Sequence, residues 1–252
     1  MTYRNDYRRS RYATEPAWRQ QDGAVRRPRA PFRRPVRPRV SLVAALAVAA
    51  ALAACAWYAC ASPGTLLGGA SAPLSAGSGP ASTPQAEWRA GEVPELYQRD
   101  TAWADARYAG TDFGESGCGP TCLAMAYIAA TGNTDRTPSD LGALAERMGC
   151  ASEDGTAWLF MTEGAAAIGL AAEELPADEM AVRRALNAGQ PVICSMAPGD
   201  FTTTGHFIVL AGVDANGRLV IRDPNSPERT AAAWDFDRVL SQCRALWAYS
   251  VA

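Results

Sequence analysis

A cysteine, a histidine and an aspartate stand out by type and spacing. Cys118 lies in Gly-Cys-Gly-Pro, His206 opens Gly-His-Phe-Ile-Val-Leu 88 residues later, and Asp223 follows after 17 more in Ile-Arg-Asp-Pro. Near neutral pH an imidazole is the side chain that both takes and returns a proton without special tuning. His206 is the only histidine in the chain, so any thiol–imidazole chemistry must pass through it.

A thiolate is the reactive form of cysteine, and a helix N-terminus favours it through unsatisfied N–H groups and the helix dipole. Cys118 has the sequence signs of that setting. Gly117 and Gly119 permit close backbone approach, and Pro120 suits a first helical turn. Cys122 is the rival nucleophile. It lies one turn deeper on the same face, in Thr-Cys-Leu-Ala-Met, where packing is the better reading.

The hairpin around Asp214-Ala215-Asn216-Gly217 tests whether Asp223 can meet His206. With those four residues as the loop, Val213 opposes Arg218 and Ile208 opposes Asp223. Asp223 is then a diagonal neighbour of His206, about 7–8 Å away between backbone positions. A carboxylate there can accept the Nδ1–H bond and steady an imidazolium. Asp214 is the competitor by type, but eight residues of strand put it about 26 Å away. Asn225, opposite His206 in this register, is the alternative partner.

The surrounding periodicity indicates an α+β domain. Helices are expected from Gly119 to Ala129, from Thr137 through Met148, over Trp158–Ile168, and from Asp178 through Leu186. Strands are expected at 192–196, 207–213, 219–221 and 247–251. This is an N-terminal helical part packed on a C-terminal antiparallel sheet.

Charge divides the chain further. Twelve of its 24 basic residues, all arginine, fall in residues 1–39 beside only Asp6, Glu15 and Asp22. The rest carries 12 arginines against 23 acids. The first 39 residues, rich in proline, read as a disordered cytoplasmic tail that meets anionic lipid rather than nucleic acid. Residues 40–61 are apolar throughout except Ser41. As a helix they reach roughly 33 Å, against a bilayer core of about 30 Å. The arginines before them place the rest of the chain outside the cytoplasm, on a single-pass signal anchor. Leu52-Ala53-Ala54-Cys55 offers the alternative of a lipoprotein signal, and Ala70-Ser71-Ala72 that of a cleaved one. A spacer of Gly, Ser, Ala and Pro covers residues 62–86, and the extracytoplasmic domain covers 87–252.

Four ordered motifs carry a family resemblance: Leu-Tyr-Gln-Arg-Asp around Gln98, Gly-Cys-Gly-Pro-Thr-Cys-Leu-Ala-Met, Gly-His-Phe-Ile-Val-Leu-Ala-Gly-Val-Asp and Arg-Asp-Pro. Together, over about Glu92 to Asn225, the chain resembles family thirty-nine of the cysteine peptidases, papain-like enzymes best known as bacteriocin leader peptidases. The resemblance implies a papain-like fold with Cys118 as nucleophile, His206 as general base and Asp223 as orienting carboxylate. Gln98 would stabilise an oxyanion. Leader-processing members are fused to a multi-span exporter with an ATPase. This sequence has one candidate span and no Walker-type loop, so cleavage after a double-glycine leader is not carried over.

The expected function is a membrane-anchored, extracytoplasmic thiol peptidase acting on peptide or protein substrates through an acyl-enzyme, with no cofactor and no metal. The alternatives are an amidase or acyltransferase on cell-wall amides and a catalytically silent peptide-binding module. Pairing among Cys122, Cys150, Cys194 and Cys243 stays open.

Overall fold

The computed structural model describes residues 79–252. The arginine-rich tail, the apolar span 40–61, Cys55, the Ala70–Ala72 site and most of the spacer lie outside the described residues. No described helix is long and apolar enough to cross a membrane. The last spacer residues are tied to the domain: Thr83 N–H donates to the Glu95 carbonyl at 2.8 Å, and Tyr97 N–H donates to Ser82 Oγ at 3.0 Å. The folded unit therefore starts ahead of residue 87.

Two short strands, β1 (Arg107–Tyr108) and β2 (Thr111–Asp112), precede a single helical turn, α1 (Phe113–Ser116). The long helix α2 (Cys118–Thr131) follows, then α3 (Pro138–Arg147). A second small hairpin, β3 (Ala151–Ser152) and β4 (Gly155–Thr156), leads to a 3-10 turn at Trp158–Met161 and to α4 (Glu163–Ala167). Next come β5 (Leu170–Leu175), α5 (Glu179–Asn187), β6 (Val192–Met196), β7 (His206–Val213) and β8 (Leu219–Arg222). The chain closes with α6 (Pro227–Ala231), β9 (Ala233–Trp234), α7 (Phe236–Leu240) and β10 (Cys243–Val251).

The main sheet has the order β5-β10-β6-β7-β8-β9, and every neighbouring pair is antiparallel. This is the expected mix of helices and antiparallel sheet, with one difference in layout. The sheet is covered on both faces. Phe207, Val209, Ile193 and Trp247 join one core with α2 and α3, while Ile208, Leu210, Cys194 and Leu246 join a second core with α5 and α7. Double coverage explains why all five residues of β6 are buried, a run without alternation that is apolar except for Ser195.

Helix α2 is buried from Gly119 to Ala129 and is apolar on all sides. It ends where Gly132, at φ 72°, donates its N–H to the Ile128 carbonyl, a left-handed stop that glycine adopts without strain. Helix α3 starts with a capping box, Thr137 with Asp140, and with Pro138 in its first turn.

Three expectations are corrected. The helix expected over Trp158–Ile168 breaks at Thr162 (φ −111°, ψ −64°) into the 3-10 turn and α4, because Phe160 and Met161, adjacent in sequence, both enter the core. Strand β5 is an addition to the expected set. It pairs only with β10, and its Leu-Ala-Ala-Glu-Glu-Leu sequence has mostly exposed or half-buried positions and a weak period. The β7–β8 loop is one residue longer than expected, so Val213 opposes Leu219 instead of Arg218, and Asp214 N–H donates to the Arg218 carbonyl. A bulge at Ala211 absorbs that extra residue. Val209 then opposes Arg222, which restores the expected register toward the end that carries His206.

Close packing holds the start of α2. A methyl group on Gly119 would lie 2.5 Å from Thr156 Oγ1, on β4. Gly119→Ala should therefore destabilise the fold by about 1–3 kcal/mol as β4 is pushed off the helix end. Denaturant unfolding of the variant against wild type measures this, and unchanged stability would contradict the packing argument.

Candidate active site

Cys118 is the first residue of α2, directly after the one-turn helix α1 and Gly117. A side chain at Gly117 would strike the Phe113 ring, 2.5 Å from a Cβ, so glycine is required for α1 to fold back on itself here. The Gly117 carbonyl accepts both the N–H and the hydroxyl of Thr121, which locks the first turn. Half-buried Cys118 thus sits where main-chain N–H groups are unspent by the helix.

His206 is the first residue of β7, opposite Met196 on β6. Asp223 directly follows β8. His206 Nε2 lies 2.8 Å from Asp223 Oδ1, and both side chains are buried, 7% and 0% exposed. The sequence pairs the carboxylate with the right ring but with the other nitrogen. Because Asp223 takes Nε2, Nδ1 is the atom left to face the thiol. The expected Nδ1–carboxylate bond is therefore corrected: the direction from which the turn after β8 meets the ring decides the tautomer.

The electrostatics follow from these contacts. Burial alone would push the Cys118 thiol up, yet hydrogen bonding and the charge of His206, with the Phe207 and Gly119 N–H groups, bring it below its ordinary 9.0. Burial would lower His206, but Asp223 and Cys118 together raise it to about 9. Asp223 is pushed up by burial and held lower on balance by His206, Arg229 and the Asn225 N–H. Both shifts run in the direction that favours a thiolate beside an imidazolium. Cys122, fully buried one turn deeper, is pushed well above its ordinary value by desolvation, followed by the Cys118 and Asp223 charges. It belongs to the core, as its sequence context indicates. All five described cysteines are free thiols.

Gln98 is 2% exposed, and its Nε2 donates to the Gly114 carbonyl at 2.9 Å and the Glu115 carbonyl at 3.2 Å. Its Oε1 has no hydrogen-bond partner among the described residues. Its main-chain N–H donates to the Pro224 carbonyl at 2.8 Å. Gln98 thereby ties the segment before Cys118 to the turn that carries Asp223. Asn225 does not substitute for Asp223. It is exposed, its N–H donates to Asp223 Oδ1 at 2.8 Å, and its side-chain oxygen accepts from Arg99. Asp214 stays in the hairpin loop, accepting from the Asn216 and Arg218 N–H groups.

A cleft of about 520 Å³ opens over the thiol and imidazole. Glu153 and Asp154 from the β3–β4 hairpin, Trp158, Thr204 and Arg244 are among the residues that line it. Trp158, 38% exposed, is anchored by its Nε1 donating to Ser195 Oγ at 3.0 Å. Two contributors escape the sequence reading. Periodicity puts Trp158 inside a helix, away from any site. Arg229, whose Nε lies 2.5 Å from Asp223 Oδ2, sits only six residues beyond the aspartate. The Ser-Pro pair at 226–227 is a helix-start signal that could have shown the chain curling back.

The fold and site define an α+β domain with a thiol at a helix start facing an imidazole–carboxylate pair on a sheet. The Peptidase_C39 like family matches residues 91–251, and the chain belongs to that family. No curated protein matches the chain. Among solved structures, it is similar to the peptidase domain of Streptococcus ComA, a bi-functional ABC transporter involved in a quorum sensing pathway. The identity there is 22%, covering 55% of this chain and 93% of that one, with a TM-score of 0.44. It is also similar to the peptidase domain of Streptococcus mutans ComA, at 25% identity over 44% of this chain and 88% of that one, TM-score 0.34.

Iodoacetamide at pH about 6 should alkylate Cys118 ahead of Cys122, Cys150 and Cys194, because those three thiols are raised by burial. His206→Ala should slow that labelling at least about tenfold, since the imidazolium that lowers the thiol is gone. Peptide mapping by mass spectrometry reads both effects. Labelling that spreads evenly over the cysteines would refute the assignment of a poised thiolate.

Proposed function

We propose that the protein is a cysteine peptidase that hydrolyses peptide bonds through Cys118, His206 and Asp223. The carrying observation is that Cys118 and His206 line one cleft, with the buried Asp223 carboxylate 2.8 Å behind the ring. Family membership supports the same reading. The thiolate attacks the substrate carbonyl and forms the carbon–sulfur bond, and the imidazolium gives its proton to the departing amine. Water, deprotonated by the now neutral His206, then attacks the thioester and releases the acid. Asp223 fixes the ring and steadies its charged form.

The oxyanion that develops on the carbonyl needs donors close to Cys118. Main-chain N–H groups at the start of α2 supply some of them. Gln98 supplies another in this reading: its longer bond, to Glu115, is exchanged for the oxyanion while the Gly114 bond holds the amide in place. The substrate is a peptide or protein segment laid in the cleft, with Trp158 as an apolar platform. The apolar sequence at 40–61, after its arginine cluster, supports a single-pass anchor with this domain outside the cytoplasm.

Peptide-library profiling of the full-length chain, with products identified by mass spectrometry, tests this function. Cleavage should vanish in Cys118→Ala and His206→Ala. In Gln98→Ala, kcat should fall about 10²–10³-fold with little change in KM, the size of effect seen when one oxyanion donor is removed. Cleavage that survives Cys118→Ala would exclude the mechanism. Release of amide products from peptidoglycan, with no peptide cleaved, would move the same machinery to wall amides.

A further inference from the structure

The turn that carries Asp223 is built around both carboxylate oxygens. Oδ1 is taken by His206 Nε2 and by the Asn225 N–H, each at 2.8 Å. Oδ2 is taken by Arg229 Nε at 2.5 Å. The Asp223 N–H donates to Thr230 Oγ1 at 2.9 Å, so the residue is gripped from α6 as well as from β7. The α6 turn is itself fixed. Ser226 Oγ accepts the Arg229 N–H at 3.1 Å, Pro227 sets the first turn, and the Arg229 carbonyl accepts Trp234 Nε1 at 3.0 Å. The Arg229 side chain is 26% exposed while that of Asp223 is not exposed at all.

Resting on the peptidase reading, we propose that Arg229 is a positioning residue that shares Asp223 with His206 and so sets how readily the imidazolium releases its proton. The groups facing the ring are Cys118 from α2 and Asp223 from the turn after β8. Arg229 from α6 acts through that carboxylate, and Cys122 one turn deeper is a neutral thiol. A buried carboxylate devoted to the ring alone, with a thiolate on the other side, would hold the imidazolium proton too firmly for transfer to a leaving amine. A guanidinium on the second oxygen draws off part of that charge and cannot itself lose a proton. The signs then alternate along the row: thiolate, imidazolium, carboxylate, guanidinium.

The sign of the effect follows. His206 rests at about 9 with Arg229 in place. Removing a cation from beside the imidazolium's own counter-ion favours the charged ring, so the titration must move up, by about one pH unit. A purely structural clamp predicts otherwise: a loosened carboxylate would support the ring less, and the titration would fall or stay.

His206 is the only histidine of the chain, so its imidazole gives one assignable NMR signal in the full-length protein. In Arg229→Gln the midpoint of that signal should rise by about one unit. The alkaline limb of the kcat–pH profile should rise with it, and kcat near neutral pH should fall several-fold at constant KM. Arg229→Lys, which restores the charge, should return most of both. Arg229→Met keeps the stem packing and replaces the glutamine variant if that one fails to fold. A midpoint that stays or falls in a folded variant overturns the proposal. Should wild type cleave no peptide while the midpoint still rises, the peptidase reading fails and the control of His206 by Arg229 stands. Cleavage by wild type with an unmoved midpoint in the variant sinks the control by Arg229 and keeps the peptidase reading.

Discussion

A buried imidazole–carboxylate pair is the constraint that the rest of the domain serves. Taking two charges out of water costs several kcal/mol per ion, and the attraction between them offsets this only when geometry is tight and leftover lone pairs are filled. Here they are filled. Asp223 accepts from His206, Asn225 and Arg229, and its own N–H is bound by Thr230. Such a network is stable only complete, since each missing partner would leave a desolvated charge. The requirement reaches outward into the fold: β7 and β8 must hold one register, and α6 must curl back so that Arg229, six residues on, meets Asp223.

The nucleophile is placed by packing rather than by charge. Helix α2 is apolar all round and buried, so its axis is fixed by its neighbours and its first residue can be placed without tolerance for drift. Two glycines flank Cys118 for separate steric reasons, one under the Phe113 ring and one under Thr156. Tyr108 locks Thr156 in turn through a 2.6 Å hydroxyl bond. Gln98 then joins the two halves, its side chain on the carbonyls before Cys118 and its main chain on Pro224. The gap between sulfur and ring is thus set by bonds that bypass both.

Much of this is legible in the sequence, and the parts that are not have physical reasons. The start of α2, the Thr137 capping box and the strands around 192–222 follow from short-range signals that tertiary context does not override. The partnership of His206 with Asp223 is also readable, although by a route that needs a cancellation. The loop is one residue too long for the simple hairpin, and the Ala211 bulge removes the same residue again. Bulges have no strong local signature, so the expected register is right at the site and shifted at the loop. Which ring nitrogen meets the carboxylate depends on the approach angle of a turn, which spacing does not encode. Strand β5 hides because an edge strand with exposed glutamates lacks the period that marks a strand. Arg229 hides because charged residues on short helices are usually solvated, and only burial of Asp223 gives it a partner that matters.

The same contacts sort the cysteines. Burial pushes the Cys122 and Cys194 thiols toward their protonated form. Cys118 is also desolvated, yet it moves the other way because hydrogen bonding and charge outweigh burial. The difference does not lie in the cysteine or in the helix alone, since Cys122 shares that helix four residues on. It lies in His206, whose charged form is favoured in a buried place by Asp223 on one side and by Cys118 on the other. The distinction between the thiols therefore depends in part on the carboxylate, which acts on the Cys118 sulfur through the ring. A change at Asp223 would be felt first as a loss of distinction among cysteines that are otherwise chemically alike.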